Sequence, residues 1–165
     1  MSAVHVVVMG VAGCGKSVVG QPIAQALRLP MIEGDQFHPA ANIEKMRQGH
    51  PLDDEDRAGW LDRLGRELQA HPAGAVLACS ALKRSYRDRL RAFMPGLRFV
   101  HLALPQEEAL RRVAARSGHF YPPSLVASQF QALEDPAGEP GTLVLDACLP
   151  VAELAGRAVR WLSGS

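Results

Sequence analysis

The sequence predicts an α/β domain, a five-stranded parallel sheet in three layers with helices on both sides. Three observations carry this. Five short apolar runs alternate along the chain with segments whose apolar residues recur at helical spacing. The runs are nearly unbroken in their apolar character, as strands covered on both faces are. The chain has 165 residues, 47% hydrophobic and 21% charged, which suits one ordinary domain with a real core.

The elements follow in order. Ala3–Met9 is a valine-rich run and predicts a buried strand, followed by a glycine loop over 10–15. Lys16–Arg28 predicts a helix with Val19, Ile23, Ala26 and Leu27 on one face; Pro22 is tolerable only near its first turn. Pro30–Ile32 is a short second strand, and 42–47 a short helix ended by Gly49 and Pro51. Asp54–His71 predicts a longer helix, its stripe Trp60, Leu61, Leu64 and Leu68, with Asp54, Glu55 and Asp56 suiting its N-terminus. Trp60 reads as core. Ala75–Cys79 is the third strand, Arg84–Phe93 a basic amphipathic helix, and Leu97–Leu104 the fourth strand. Glu107–Arg116 predicts a helix running into a Gly- and Pro-containing loop over 117–123, and Leu125–Leu133 another helix. A turn-rich stretch over 135–141 precedes the fifth strand, Thr142–Asp146; the last helix is Val151–Leu162.

Charge and composition exclude several classes. Eighteen basic and seventeen acidic residues leave a net charge of +1, without the basic stripe a nucleic-acid binder needs. No apolar run approaches the roughly 20 residues of a bilayer span, so no membrane partner is expected. The first apolar stretch lacks a basic flank and runs into the glycine loop, so it reads as a strand rather than a signal peptide. Three sparse cysteines, Cys14, Cys79 and Cys148, without metal-ligand spacing, suit reduced thiols in the cytoplasm.

Gly10-Val11-Ala12-Gly13-Cys14-Gly15-Lys16-Ser17 fits G-x-x-x-x-G-K-[ST] between a strand and a helix. A chance match in this composition is on the order of one in a thousand. Glycines let backbone N–H groups turn toward a polyphosphate, and the helix N-terminus adds unpaired donors. The loop residues Gly10, Ala12, Gly13, Cys14, Gly15 and Val18 are therefore candidate ATP contacts. Lys16 should reach the β- and γ-phosphates, and the Ser17 hydroxyl should ligate Mg²⁺. The predicted class is a P-loop NTPase fold in a single domain over 1–165. Only three lysines occur, Lys16, Lys45 and Lys83, each in or near a polar motif after a strand.

In parallel sheets ligands bind at the C-terminal strand ends. After the second strand comes Glu33-Gly34-Asp35-Gln36-Phe37-His38-Pro39. Asp35 there could accept the proton of an attacking hydroxyl or hold water on Mg²⁺; equally it could be a turn aspartate. After the third strand comes Cys79-Ser80-Ala81-Leu82-Lys83, without the usual second metal-binding aspartate. That argues against a GTPase or motor ATPase and for a small kinase.

These segments together resemble the gluconokinase family of small P-loop carbohydrate kinases. The likeness runs through Gly10–Ser17, Gly34-Asp35, His38-Pro39, Asn42, Lys45-Met46, Gly49, Pro51-Leu52, Asp54, Asp56-Arg57 and Trp60. It continues through 79–83, Tyr86-Arg87, Arg116, 118–120, Gln129-Phe130, Leu133-Glu134 and Pro136. The resemblance implies phosphorylation of D-gluconate at its 6-hydroxyl by ATP and Mg²⁺, a nucleoside-monophosphate-kinase-like fold, and a homodimer. It departs from the family at Ala12 and Cys14, where serines are common, and at Gly59, where proline is frequent. Cys14 suggests oxidation sensitivity.

On this reading Lys16, Asp35 and Arg116 are the catalytic candidates. The segment 112–123 is a mobile lid whose Arg116 and Arg112 cover the ATP phosphates. Gluconate is an anionic polyol and needs a cation for its carboxylate and hydrogen-bonding groups for its hydroxyls. Arg57, Lys83 and Arg87 are the cationic candidates, with Arg57 alternatively paired to Asp54 or Asp56 in its own helix turn. Asp35, His38, Ser80, His119 and Gln129 are candidates for the hydroxyls. The stretch 146–150 is expected near adenine. Competing readings are a shikimate or nucleotide kinase of the same fold, and a non-catalytic ATP-sensing protein.

Overall fold

The computed structural model describes residues 3–115 and 123–164. Five strands form one sheet: β1 (Val4–Met9), β2 (Met31–Glu33), β3 (Gly74–Ala78), β4 (Arg98–Ala103) and β5 (Thr142–Asp146). Their order across the sheet is β2-β3-β1-β4-β5, and every neighbouring pair is parallel. Val6 to Met9 of β1 and Ala75 to Leu77 of β3 are fully buried without alternation. Both sheet faces are therefore covered, as the continuous valine and alanine runs required.

The helices are α1 (Lys16–Leu27), α2 (Ala40–Arg47), α3 (Asp54–Gln69), α4 (Arg84–Phe93), α5 (Gln106–Ala115), α6 (Val126–Ala132) and α7 (Val151–Leu162), with 3₁₀ turns at Gly34–Phe37 and Pro123–Leu125. Helix α1 packs on α7, and α3 packs on α4. The chain adds strands on one side of β1 up to β3, then crosses to add β4 and β5 on the other. The loop after β1 thus opens at the point where strand order reverses, the usual place for a ligand in such sheets.

Most elements match the sequence reading, with three informative differences. Strand β2 begins and ends one residue later than expected, so Glu33 closes the strand. Helix α1 runs straight through Pro22, which lies past its first turn. The missing N–H removes one helical bond, and packing of Val19, Ile23 and Ala24 into the core holds the helix together. Helix α3 carries the expected Asp54, Glu55 and Asp56 in its first turn, and the preceding Asp53, which the sequence reading left out, is its N-cap. The Asp53 carboxylate accepts from the Asp56 N–H at 2.7 Å, while Asp56 Oδ2 accepts from the Asp53 N–H at 3.0 Å, a reciprocal cap.

Candidate active site

The glycine loop is a cradle that only glycine permits at its ends. Gly10 has φ 149°, and a Cβ there would lie 2.6 Å from Cys14 Sγ and 2.9 Å from the Leu102 carbonyl. Gly15 caps α1 with φ 98° and no side-chain cap, leaving the first helical N–H groups open to an anion. Lys16 lies back over its own loop, its Nζ donating to the Gly10 and Val11 carbonyls at 3.1 Å each. The Ser17 hydroxyl donates to Glu33 Oε2 at 2.6 Å. Glu33 is a site residue the sequence reading missed. The signal was a carboxylate at a strand end beside the loop, hidden because the strand was ended at Ile32.

In front of the loop lies a cavity of about 120 Å³. It brings Ala12, Gly13, Lys16 and Ser17 together with Asp35, His38, Arg57, Ser80 and Gln129. These come from five separate stretches of sequence. Asp35 rides on the 3₁₀ turn after β2 with its side chain 68% exposed. His38 is buried and stacks on Trp60 with ring centroids 4.0 Å apart. Burial pushes the imidazole down to about 4, partly opposed by Asp35, so the ring is neutral at pH 7. Trp60 is core, as expected, and also a wall of the cavity. Gln129, from α6, accepts from the Ala12 N–H at 2.6 Å. That amide is therefore already occupied, and Ala12 is not an open donor like its neighbours.

The three cationic candidates separate. Arg57 lines the cavity; it pairs with neither Asp54 nor Asp56, and its Nη1 donates to the Leu52 carbonyl at 2.6 Å and to Tyr86 Oη at 3.1 Å. The helix-turn acids are taken elsewhere: Asp56 by Lys45 at 2.5 Å, and Asp54 by Lys83 at 2.9 Å and the Tyr86 hydroxyl at 2.5 Å. Those bonds hold both carboxyls below the usual carboxylate range. Lys83 is committed to Asp54 and stands outside the cavity lining.

Arg87 corrects the sequence reading. It is completely buried, and its five N–H donors reach Glu139 Oε1 and Oε2, the Ala81 and Leu82 carbonyls and the Glu134 carbonyl. It has no donor left for a substrate. Its work is to clamp the turn after β3, where Ala81 holds a left-handed φ of 45°. That turn carries Ser80 into the cavity.

A second cavity of about 390 Å³ lies behind the loop, lined among others by Gly13, Cys14, Val18, Arg112, Ala147 and Val151. Arg112 is tethered there: Nη1 to the Gly13 carbonyl at 3.1 Å, Nη2 to the Ala147 carbonyl at 3.2 Å, and Nε to Glu108 at 2.9 Å. It ties the segment after β5 to the loop. Cys14 is buried, and burial pushes its thiol up against the opposing pull of Lys16. Thiolate chemistry is disfavoured there, so the expected oxidation sensitivity has no support in its surroundings. Arg116 and His119, with most of the expected lid, lie outside the described residues.

A strand, a glycine cradle with lysine and hydroxyl, and a facing pocket with carboxylate and guanidinium define a P-loop kinase domain. A family model described as an AAA domain matches residues 6–140. A gluconokinase from Gluconobacter oxydans is 47% identical over 137 residues, covering 81% of this chain and 76% of that protein. The thermosensitive gluconokinase of Escherichia coli is 42% identical over 147 residues, covering 87% and 79%. The crystal structure of a gluconokinase from Sinorhizobium meliloti superposes with a TM-score of 0.89 at 48% identity, covering 98% of this chain and 92% of that one. The chain belongs to the gluconokinase family.

Proposed function

We propose that this chain transfers the γ-phosphoryl group of ATP to the 6-hydroxyl of D-gluconate, giving 6-phosphogluconate and ADP. The observation that carries the reading is Arg57 in the same cavity as Lys16 and Asp35. Arg57 can take the carboxylate of a sugar acid in the space it shares with the phosphate loop, and Asp35 lines the same space. Of the three candidates for the gluconate carboxylate, Arg57 is favoured because Lys83 and Arg87 are already paired.

Phosphoryl transfer needs positioning and charge stabilisation more than covalent chemistry. The amides of Gly13, Gly15, Lys16 and Ser17 hold phosphate oxygens, while the Cys14 N–H donates to the Val11 carbonyl at 3.2 Å. Lys16 exchanges the Gly10 and Val11 carbonyls for those oxygens and neutralises charge that grows during transfer. Asp35 orients the acceptor hydroxyl and takes its proton. Arg57 holds the carboxylate, and Ser80 and Gln129 bond the remaining hydroxyls. Arg116 and His119 belong to the same proposal, as cover for the phosphates and as a hydroxyl partner.

A hydroxyl and a carboxylate joined at the base of the cradle, Ser17 and Glu33, form the hard oxygen set that suits Mg²⁺. Ser17 would hold the ion, with Glu33 fixing its hydroxyl; the ion when bound spreads negative charge on the phosphates. The 390 Å³ cavity behind the loop suits the adenine. A homodimer and a cytoplasmic location complete the reading. No described helix is long and apolar enough to cross a membrane.

The test is ADP release by purified protein with Mg-ATP and D-gluconate, compared with shikimate, glucose and nucleoside monophosphates. Gluconate should stimulate release at least tenfold over any other acceptor. Equal rates with and without gluconate would sink the proposal, and light scattering reads the dimer.

A further inference from the structure

The buried imidazole beside Asp35 is aimed with a definiteness that substrate contact alone does not require. Asn42 sits on α2, 4% exposed. Its Nδ2 lies 3.0 Å from the Asp56 carbonyl and 3.3 Å from His38 Nδ1. A carbonyl only accepts, so the atom facing Asp56 must be the amide NH₂, and the Asn42 side chain cannot be flipped. The second proton of that NH₂ points to His38 Nδ1, which must then be the acceptor. In a neutral imidazole the ring proton therefore sits on Nε2. Trp60 stacks over the ring with planes 16° apart, and is itself pinned by its indole N–H to the Gly34 carbonyl at 2.8 Å.

His38 Nε2 faces Asp35 Oδ1 at 3.9 Å. The histidine side chain is 4% exposed and held by Asn42 and by the stack on Trp60, whereas the aspartate is 68% exposed. The aspartate is the one free to move. A small side-chain rotation would close the gap, as bonds around reacting groups commonly tighten on substrate binding.

The geometry points to a positioning chain, Asp56 C=O to Asn42 to His38 to Asp35, in which Asn42 selects the Nε2–H tautomer and His38 donates that proton to one oxygen of Asp35. The other oxygen is thereby left facing the acceptor hydroxyl. His38 and Asn42 are positioning residues, acting through Asp35 rather than on the sugar acid. This assigns His38 a role different from hydroxyl binding, and it rests on the phosphotransfer reading above.

Two readouts test it on the full chain. Nitrogen-15 NMR of the ligand-free protein at neutral pH, with His38 assigned by loss of its signals in His38→Gln, should show Nδ1 bare and Nε2 protonated. Asn42→Ala should turn that into a tautomer mixture. An Nδ1–H tautomer in the wild type, or an unchanged one in Asn42→Ala, overturns the chain. Kinetics then follow three variants in parallel with the wild type. His38→Phe keeps the stack on Trp60 and removes the donor; kcat should fall at least tenfold with the gluconate KM within threefold. His38→Gln, whose amide nitrogen falls near Nε2, should recover at least a third of wild-type kcat. His38→Asn, whose amide falls near Nδ1, should stay as low as His38→Phe. Loss confined to KM, or equal kcat in the Gln and Asn variants, overturns the proposal. A wild type inert toward gluconate would instead count against the proposed function, while the NMR arm stands by itself.

Discussion

The phosphate end of the cavity and its acceptor end are built by opposite means. At the phosphate end, the groups that matter lie within eight consecutive residues, and Lys16 bonds carbonyls of its own loop. At the acceptor end, Asp35, His38, Arg57, Ser80 and Gln129 arrive from four separate stretches of chain, and Arg57 and Gln129 bond residues distant in sequence, Tyr86 and Ala12. Recognition of a polyphosphate is mostly a backbone matter, so a short strand-to-helix turn suffices. Recognition of an anionic polyol needs side chains converging from several directions, which only packing supplies.

Arginines sharpen the contrast, because Arg57 and Arg87 look alike in sequence and do different work. The largest effect should come from Arg87→Met. It leaves Glu139, whose side chain is 6% exposed, with only Arg91 as a salt-bridge partner among the described residues. Breaking a buried pair from one side costs about 3–5 kcal/mol, so the denaturant midpoint should drop steeply while kcat per folded molecule stays within threefold. A raised gluconate KM with unchanged stability would return Arg87 to the substrate site.

Lys16→Ala at the phosphate end and Asp35→Asn at the acceptor end should each cut kcat at least a hundredfold, about 2.7 kcal/mol of transition-state stabilisation. Melting temperature should hardly change, since neither side chain supports the core. Near-normal turnover in Asp35→Asn would remove that residue from its role. Next in size, Arg57→Met should raise the gluconate KM roughly tenfold or more, in line with about 1.5–3 kcal/mol for a hydrogen bond to a charged group. Its ATP KM should hold. If both constants move together, the two ends are not separate sites.

The buried histidines draw the same line in stability. His38 is aimed into the site, while His101 in β4 has an Nδ1 with no partner among the described residues. Burial pushes both down to about 4 against an ordinary 6.5. Between about pH 6.5 and 4 the unfolded chain binds these protons and the folded protein does not, so stability falls as pH falls through that window. His101→Leu should remove up to about 1.4 kcal/mol per pH unit of that slope, measured by urea melts at several pH values. An unchanged slope would show that His101 titrates normally. The smallest effect belongs to Lys83→Met. Its exposed pair with Asp54 is worth about 0–1 kcal/mol, and the gluconate KM should move less than threefold.

Much of this architecture was legible beforehand. The apolar runs and helical stripes placed the five strands and the long helices to within a residue or two, because burial on both sheet faces leaves a pattern in composition. The loop motif placed Lys16 and Ser17 because both sit on one continuous strand-to-helix turn. Glu33 was missed because one residue of strand register decides whether it is loop or wall. The lid reading splits: Arg112 is tethered to the Gly13 carbonyl of the loop and to the Ala147 carbonyl after β5, and Arg116 lies outside the described residues.

The sequence by itself determined the layered sheet, the cradle and the class of chemistry, since these depend on periodicity and on spacing along one stretch of chain. Only the tertiary structure decided which guanidinium faces the cavity and which is locked in the core, and that Asn42 dictates where His38 carries its proton. Partner choice for a charged or polar side chain depends on what lies within about 3 Å of it in space, and separation along the chain carries no record of that.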